Sequence, residues 1–168
     1  MRQIQNKKIN IRNKKINSSV TSPLGLAIKQ AEGVTGFSEK KSEVATKLST
    51  ETFIGAFTFN GRNMNYIIIT SGFLCFINFR MTIQHKKSEL PENLKSEVEI
   101  LEHINNQNSK TVGIKTFISS ETEDEYSISV NSEYVLDSKD KNYSYVPHVI
   151  NILSISPGLV QINKTEGK

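Results

Sequence analysis

The chain has 168 residues, 36% hydrophobic and 23% charged, which is enough apolar material to bury one core of ordinary size and too much for a disordered chain. Its formal charge of +4 is uneven: residues 1–17 carry Arg2, Lys7, Lys8, Arg12, Lys14 and Lys15 and no acid, leaving 15 basic against 17 acidic residues, a net of −2, for the rest. The single cysteine, Cys75, excludes an intramolecular disulfide, and the longest apolar stretch, Tyr66–Phe79, is broken by Thr70-Ser71-Gly72, well short of the about 20 residues of a membrane-spanning helix.

Residues 1–21 read as a basic flexible arm. Asn6–Asn10 and Asn13–Asn17 both spell NKKIN at an offset of seven, too short a repeat for a coiled coil. A solvated arm, an electrostatic contact with nucleic acid or an anionic membrane through Lys7, Lys8, Arg12, Lys14 and Lys15, and an organelle-targeting segment all fit it. A lone cysteine and the absence of a secretory apolar core put the expected location in the cytoplasm, or in an organelle stroma or matrix if the arm is a transit segment.

A single α+β domain is expected over residues 22–162. Ser22-Pro23 pairs an N-cap with a first-turn proline, and Leu24, Ala27, Ile28 and Ala31 form one helical face before Gly33. A second short helix is expected over Ser38–Leu48, with Val44 and Leu48 as its apolar positions. Thr52–Phe59 is a strand, Asn60-Gly61 a hairpin turn, Met64–Thr70 the return strand, Ser71-Gly72 a second turn and Phe73–Ile83 a third strand. Ile67-Ile68-Ile69 is apolar on both faces, which predicts a central strand covered on both sides.

Glu89–Gln107 predicts a helix with Pro91 in its first turn, Leu94, Val98, Leu101 and Ile104 on one face, and Asn105, Asn106 and Asn108 at its end. Val112–Ile118 is a strand, Ser119–Glu125 a polar turn, and Tyr126, Ile128 and Val130 alternate with serines in a half-buried strand. Tyr134-Val135-Leu136 extends that strand beyond a kink. A short helix on Val146, Val149, Ile150 and Leu153 ends at Pro157-Gly158, Leu159–Ile162 fits either a last helical turn or an edge strand, and residues 163–168 are a frayed tail. The expected architecture is therefore an antiparallel sheet, a three-stranded meander plus a hairpin, packed with helices in the order α-βββ-α-ββ-α.

Catalytic and metal signatures are missing. His85, His103 and His148 have no zinc-ligand spacing, and Cys75 sits in an apolar strand where a thiolate is costly. The acids Glu121, Glu123, Asp124 and Glu125 lack the turn glycine of a calcium loop, as does Asp137-Ser138-Lys139-Asp140. There is no Gly-rich phosphate loop and no nucleophile elbow. The strand phenylalanines Phe53, Phe57, Phe59, Phe73, Phe76 and Phe79 could mimic a base-stacking platform, but their Ile and Leu neighbours favour core packing.

Over Val98–Val160 the chain runs through a helix ending in an Asn-rich turn (ILEHINNQN), a strand (VGIKTFIS), an acidic turn, a second strand (EYSISVN) and an apolar closing helix (VPHVINIL). With the Phe53–Phe79 meander before it, this order resembles the type III secretion chaperone-like fold, including the YbjN-type proteins called putative sensory transduction regulators. The resemblance implies a non-enzymatic module that binds a protein partner, often as a homodimer, with no catalytic residue, metal or cofactor. Two departures bear on the secretion role: those chaperones are usually clearly acidic, and the basic arm has no counterpart in them. The expected partner surfaces are the Phe53, Phe57, Phe59 strand and the Val146, Val149, Ile150, Leu153 helix. A nucleic-acid-associated protein using the arm is the alternative.

Overall fold

The computed structural model describes residues 21–42, 51–94, 96–111, 113–139 and 142–159. Residues 1–20 and 160–168, which hold the arm and the tail, lie outside them. The elements are α1 (Pro23–Gln30), β1 (Val34–Lys41), β2 (Glu51–Phe59), β3 (Arg62–Ser71), β4 (Leu74–Lys86), α2 (Glu97–Lys110), β5 (Lys115–Glu121), β6 (Glu125–Asp137) and α3 (Val146–Leu159). The six strands form one antiparallel sheet in the order β1-β2-β3-β4-β6-β5. The α+β class and the meander-plus-hairpin plan are as expected; the meander has four strands rather than three.

The additional strand, β1, takes in Ser38–Lys41, the first four residues of the helix expected over Ser38–Leu48. Gly36 takes φ 60° within the register shift between Thr35 and Ser38, and the backbone from Ser38 to Lys41 pairs with Ala56 to Phe53. A neighbouring strand edge satisfies these backbone groups, so tertiary pairing overrides the local helical pattern. Residues 43–48 of that expected helix lie outside the described residues.

The first helix is built as its sequence predicts. Ser22 caps it, its Oγ accepting from the Gly25 N–H at 2.9 Å, with Pro23 at the first position. Asn60 and Gly61 both take positive φ, 48° and 74°, the geometry of a tight turn matched to strand twist. The next turn is centred one residue later than expected, on Gly72 and Phe73, with Gly72 at φ 59°.

Between β4 and α2 the chain makes two 3₁₀ turns, Lys87–Glu89 and Glu92–Leu94, where a helix start was expected. Pro91 disfavours a helical conformation at the residue before it, and Leu90 is extended at φ −74°, ψ 145°. The helix begins instead at a capping box, with the Ser96 side chain accepting from the Glu99 N–H and the Glu99 carboxylate accepting from the Ser96 N–H. At its other end Asn108 does not terminate it. Asn108 Oδ1 accepts from the Thr116 N–H and its Nδ2 donates to the Thr116 carbonyl, both at 2.8 Å, so the side chain clamps β5 to α2.

Strand β6 runs without a kink: all thirteen positions from Glu125 to Asp137 pair with β4 in one register. Helix α3 continues past the expected stop through Pro157 and Gly158 to Leu159. Pro157 offers no N–H to the Leu153 carbonyl, and Ser156 Oγ donates to that carbonyl at 2.6 Å instead. Residues 160–162 of the undecided last segment lie outside the described residues.

The core lies on one side of the sheet. Phe53 and Phe57, Met64 to Ile68, Ile77 to Met81, and Tyr126 to Val130 bury every second side chain against Leu24 and Ile28 of α1, Ile100 and Ile104 of α2, and Val146 to Leu153 of α3. All three helices therefore share a face. Tyr66 is the centre of the aromatic packing, 6.4 Å from Phe37, 6.1 Å from Phe57 and 6.1 Å from Phe79 between ring centroids. Its ring lies against Gly55, its register partner, where a Cβ would come within 2.2 Å of Tyr66 Cζ. Its hydroxyl donates to Glu39 Oε1 at 2.8 Å, and Glu39 also accepts from the Ser22 N–H (2.6 Å) and hydroxyl (2.7 Å). This carboxylate ties the root of α1 to β1 and β3.

Candidate functional site: the uncovered sheet face

Because the helices occupy one face, the alternate residues of the strands form a second face that no described element covers. An antiparallel sheet in this position ordinarily presents polar side chains to water. Here one end of the face is apolar. Register places Ile69, Phe76 and Val135 side by side across β3, β4 and β6. Ile54 and Ile67 pair in the next row across β2 and β3, and Leu74 lies on the other side of Phe76 along β4. Ile54, Ile69, Leu74, Phe76 and Val135 are 37% to 53% exposed, and Phe73 in the adjoining turn is 70% exposed. Clustered apolar exposure of this kind on a sheet face marks an interaction surface more often than scattered single residues do. The expectation that Ile67–Ile69 would be covered on both sides is corrected: Ile68 is buried and Ile69 stands on the open face.

The face grades into polar residues along the strands. The row of Ile54 and Ile67 continues into Asn78 and Glu133, joined by an Asn78 Nδ2 to Glu133 Oε1 hydrogen bond of 2.7 Å. The row after that reads Ala56, Asn65, Arg80, Asn131 and Lys115 from β2 to β5. Arg80 donates from Nε and Nη2 to Ser129 Oγ, at 3.1 and 2.9 Å, and its guanidinium lies 5.3 Å from the Phe117 ring centroid. Thr82 Oγ1 and Ser129 Oγ share a further hydrogen bond of 2.9 Å. Asn131 Oδ1 is buried with no hydrogen-bond partner.

The edges of the sheet are less receptive than its face. The β1–β2 register shifts between Thr35 and Ser38, and β1 ends in Lys40 and Lys41. The β5–β6 register shifts between Ile118 and Ser120. Bulges and lysines of this kind hinder the addition of another strand.

The residues expected to form the partner surface are placed elsewhere. Phe53, Phe57, Val146, Val149, Ile150 and Leu153 are all buried in the core, and Phe59 is partly buried against it. They hold α1 and α3 to the sheet and are not presented on the surface. Of the strand phenylalanines, Phe73 and Phe76 face solvent. Period-two alternation is readable in the strands, but which phase faces the helices is not, because both phases carry apolar residues. The arm residues Lys7, Lys8, Arg12, Lys14 and Lys15 lie outside the described residues.

No reactive constellation assembles among the described residues. No three His, Cys, Asp or Glu side chains gather to hold a metal ion. Burial raises the Cys75 thiol, outweighing a hydrogen bond from Thr70 that lowers it, so its thiolate is disfavoured. Burial is also the first cause of the raised Tyr66 hydroxyl, with the Glu39 hydrogen bond second, so Tyr66 stays a neutral donor. His85 is lowered by burial against the opposing pull of Glu89. The Lys87–Glu121 ion pair, at 2.6 Å, is a surface contact lying 4.6 Å from the Tyr126 ring centroid. No described helix is long and apolar enough to cross a membrane.

Compared with protein-family models, with curated proteins and with solved structures, the chain matches none.

Proposed function

We propose that this chain is a non-enzymatic protein-binding module, chaperone-like or regulatory, that receives its partner on the uncovered face of the sheet. The observation that carries the reading is the bare row Ile69, Phe76 and Val135, with Ile54 and Leu74 beside it. Apolar surface of this kind is stabilised by removal from water, at about 25 cal/mol per Å². Aromatic and branched side chains gathered at one end of the face, grading into polar residues along the strands, have the composition of an interface core bordered by a polar rim. A sheet face also positions its side chains more firmly than a loop does.

The order of elements resembles the type III secretion chaperone-like superfamily and its YbjN-type members, and partner binding is what that resemblance implies. Homodimerisation and a cytoplasmic location belong to the same reading. The face is favoured over the edges because the edge strands carry bulges and lysines.

The test is site-specific photo-crosslinking in a lysate of the source organism. A p-benzoylphenylalanine in place of Phe76 should give a discrete protein adduct, and the same residue in place of Ile152, exposed on α3, should not. Equal labelling from both positions, or none from position 76, refutes the reading.

A further inference from the structure

We infer that the partner segment received on this face carries an Asp or Glu side chain, and that Arg80 is the group that recognises it. The inference rests on the protein-binding reading above and supplies the chemistry of the partner.

Arg80 stands in the middle of the face, on β4, with Asn65 and Asn131 as its neighbours across the strands. Ser129 fixes one edge of its guanidinium and Phe117 lies against its plane. Both contacts orient the group and neither neutralises it. Among the described residues no carboxylate forms an ion pair with Arg80. Glu133, one row away, is engaged by Asn78. The domain is net acidic, so the unpaired, oriented arginine is not explained by a shortage of carboxylates.

A layer laid on this face strips water from the guanidinium. Leaving a charge buried without a counter-charge is unfavourable, so a wholly apolar occupant is penalised. A basic occupant meets Arg80, with Lys115 in the same row and Lys40 in the next. An occupant with apolar side chains on Ile69, Phe76 and Val135 and a carboxylate at Arg80 satisfies both halves of the face. The guanidinium fork suits a carboxylate in particular, because two parallel N–H···O bonds are available to it. A polypeptide segment, the occupant of the protein-binding reading above, supplies both the apolar side chains and the carboxylate, whereas a free anion supplies only the charge. Phe76 and Arg80 are four residues apart on one strand, about 13 Å, so the acid lies about nine residues from the apolar anchors if the segment is helical and about four if extended.

The experiment selects a phage-displayed library of random 16-residue peptides on the full chain, then measures the strongest clones as synthetic peptides. The expected result is enrichment of apolar residues together with Asp or Glu. Arg80→Gln and the acid-to-amide change on the peptide should each weaken binding by on the order of tenfold or more, and Arg80→Glu should shift the selection to Lys and Arg. Apolar peptides without acid enrichment, bound equally by Arg80→Gln but lost in Phe76→Ser, overturn the carboxylate inference and leave the protein-binding reading standing. If no selected peptide is sensitive to Phe76→Ser, both fall. If the unmodified chain sediments as a dimer that Phe76→Ser dissociates, the occupant is a second copy and the inference is overturned. Should either Arg80 variant fail to fold, the acid-to-amide change on the peptide decides alone.

Discussion

Replacing Gly55 by Ala tests the packing at the centre of the domain. The added Cβ would stand 2.2 to 2.4 Å from the Tyr66 ring and hydroxyl, where ordinary contacts begin beyond 3.0 Å. Tyr66 cannot move aside freely, because Phe37, Phe57 and Phe79 surround it and its hydroxyl is tied to Glu39. Overpacking of this kind costs about 1–3 kcal/mol. Pulling the hydroxyl off a carboxylate costs about 1.5–3 kcal/mol more. Against this stands the intrinsic gain of about 0.5–1 kcal/mol from replacing glycine by alanine within a strand. The net expectation is a loss of roughly 1.5–5.5 kcal/mol, a fall in melting temperature of roughly 3–20 °C for a chain of this size. Urea titration followed by far-ultraviolet circular dichroism measures it. The same substitution made in a Tyr66→Leu background should cost at least about 1 kcal/mol less, since the clashing ring is gone. An identical cost in both backgrounds, or a Gly55→Ala chain more stable than the parent, refutes the reasoning.

Neighbouring phenylalanines on β4 should behave in opposite ways. Phe79→Ala should cost about 3–5 kcal/mol and Phe76→Ala under about 1 kcal/mol, because Phe79 is fully buried and Phe76 stands on the open face; comparable urea midpoints would contradict the assigned phase of the sheet. Ser96→Ala removes the donor-satisfying half of the capping box and should destabilise the chain by about 1 kcal/mol, read as a loss of thermal midpoint that Ser96→Asp largely restores. His85 gives a pH signature. Burial lowers its folded value below the ordinary 6.5, so the unfolded state binds more protons between the two values and stability falls as pH drops through that window. His85→Asn should therefore flatten the fall in urea midpoint just below pH 6.5, and parallel curves for the two chains would remove His85 as its source.

Local signals carried much of the architecture. Ser22-Pro23, Asn60-Gly61 and the alternation of Tyr126, Ile128 and Val130 name a helix start, a hairpin and a half-buried strand, because each depends on backbone groups within a few residues. The readings that changed were those settled by distant partners. Residues 38–41 have a helical pattern, yet the free edge of β2 fixes them as a strand. Asn108 has the composition of a helix terminator, yet Thr116 turns it into a clamp. Nothing near Pro157 in the local pattern announced that Ser156 would serve the Leu153 carbonyl.

The candidate site divides in the same way. The sequence by itself determined that Phe53–Phe79 is a run of strands with apolar residues in both phases, because period-two alternation is a property of the extended backbone alone. Only the tertiary structure decided which phase is core. Phe53 and Phe57 went inward and Phe76, Ile69 and Val135 outward because all three helices packed on the same face, a choice made by contacts between elements far apart in the chain. Composition does not distinguish Arg80 among 21 basic residues; register sets it between Asn65 and Asn131, over Phe117 and without an ion pair among the described residues. Charge is read from composition, but whether a charge is paired is a matter of which strands lie side by side.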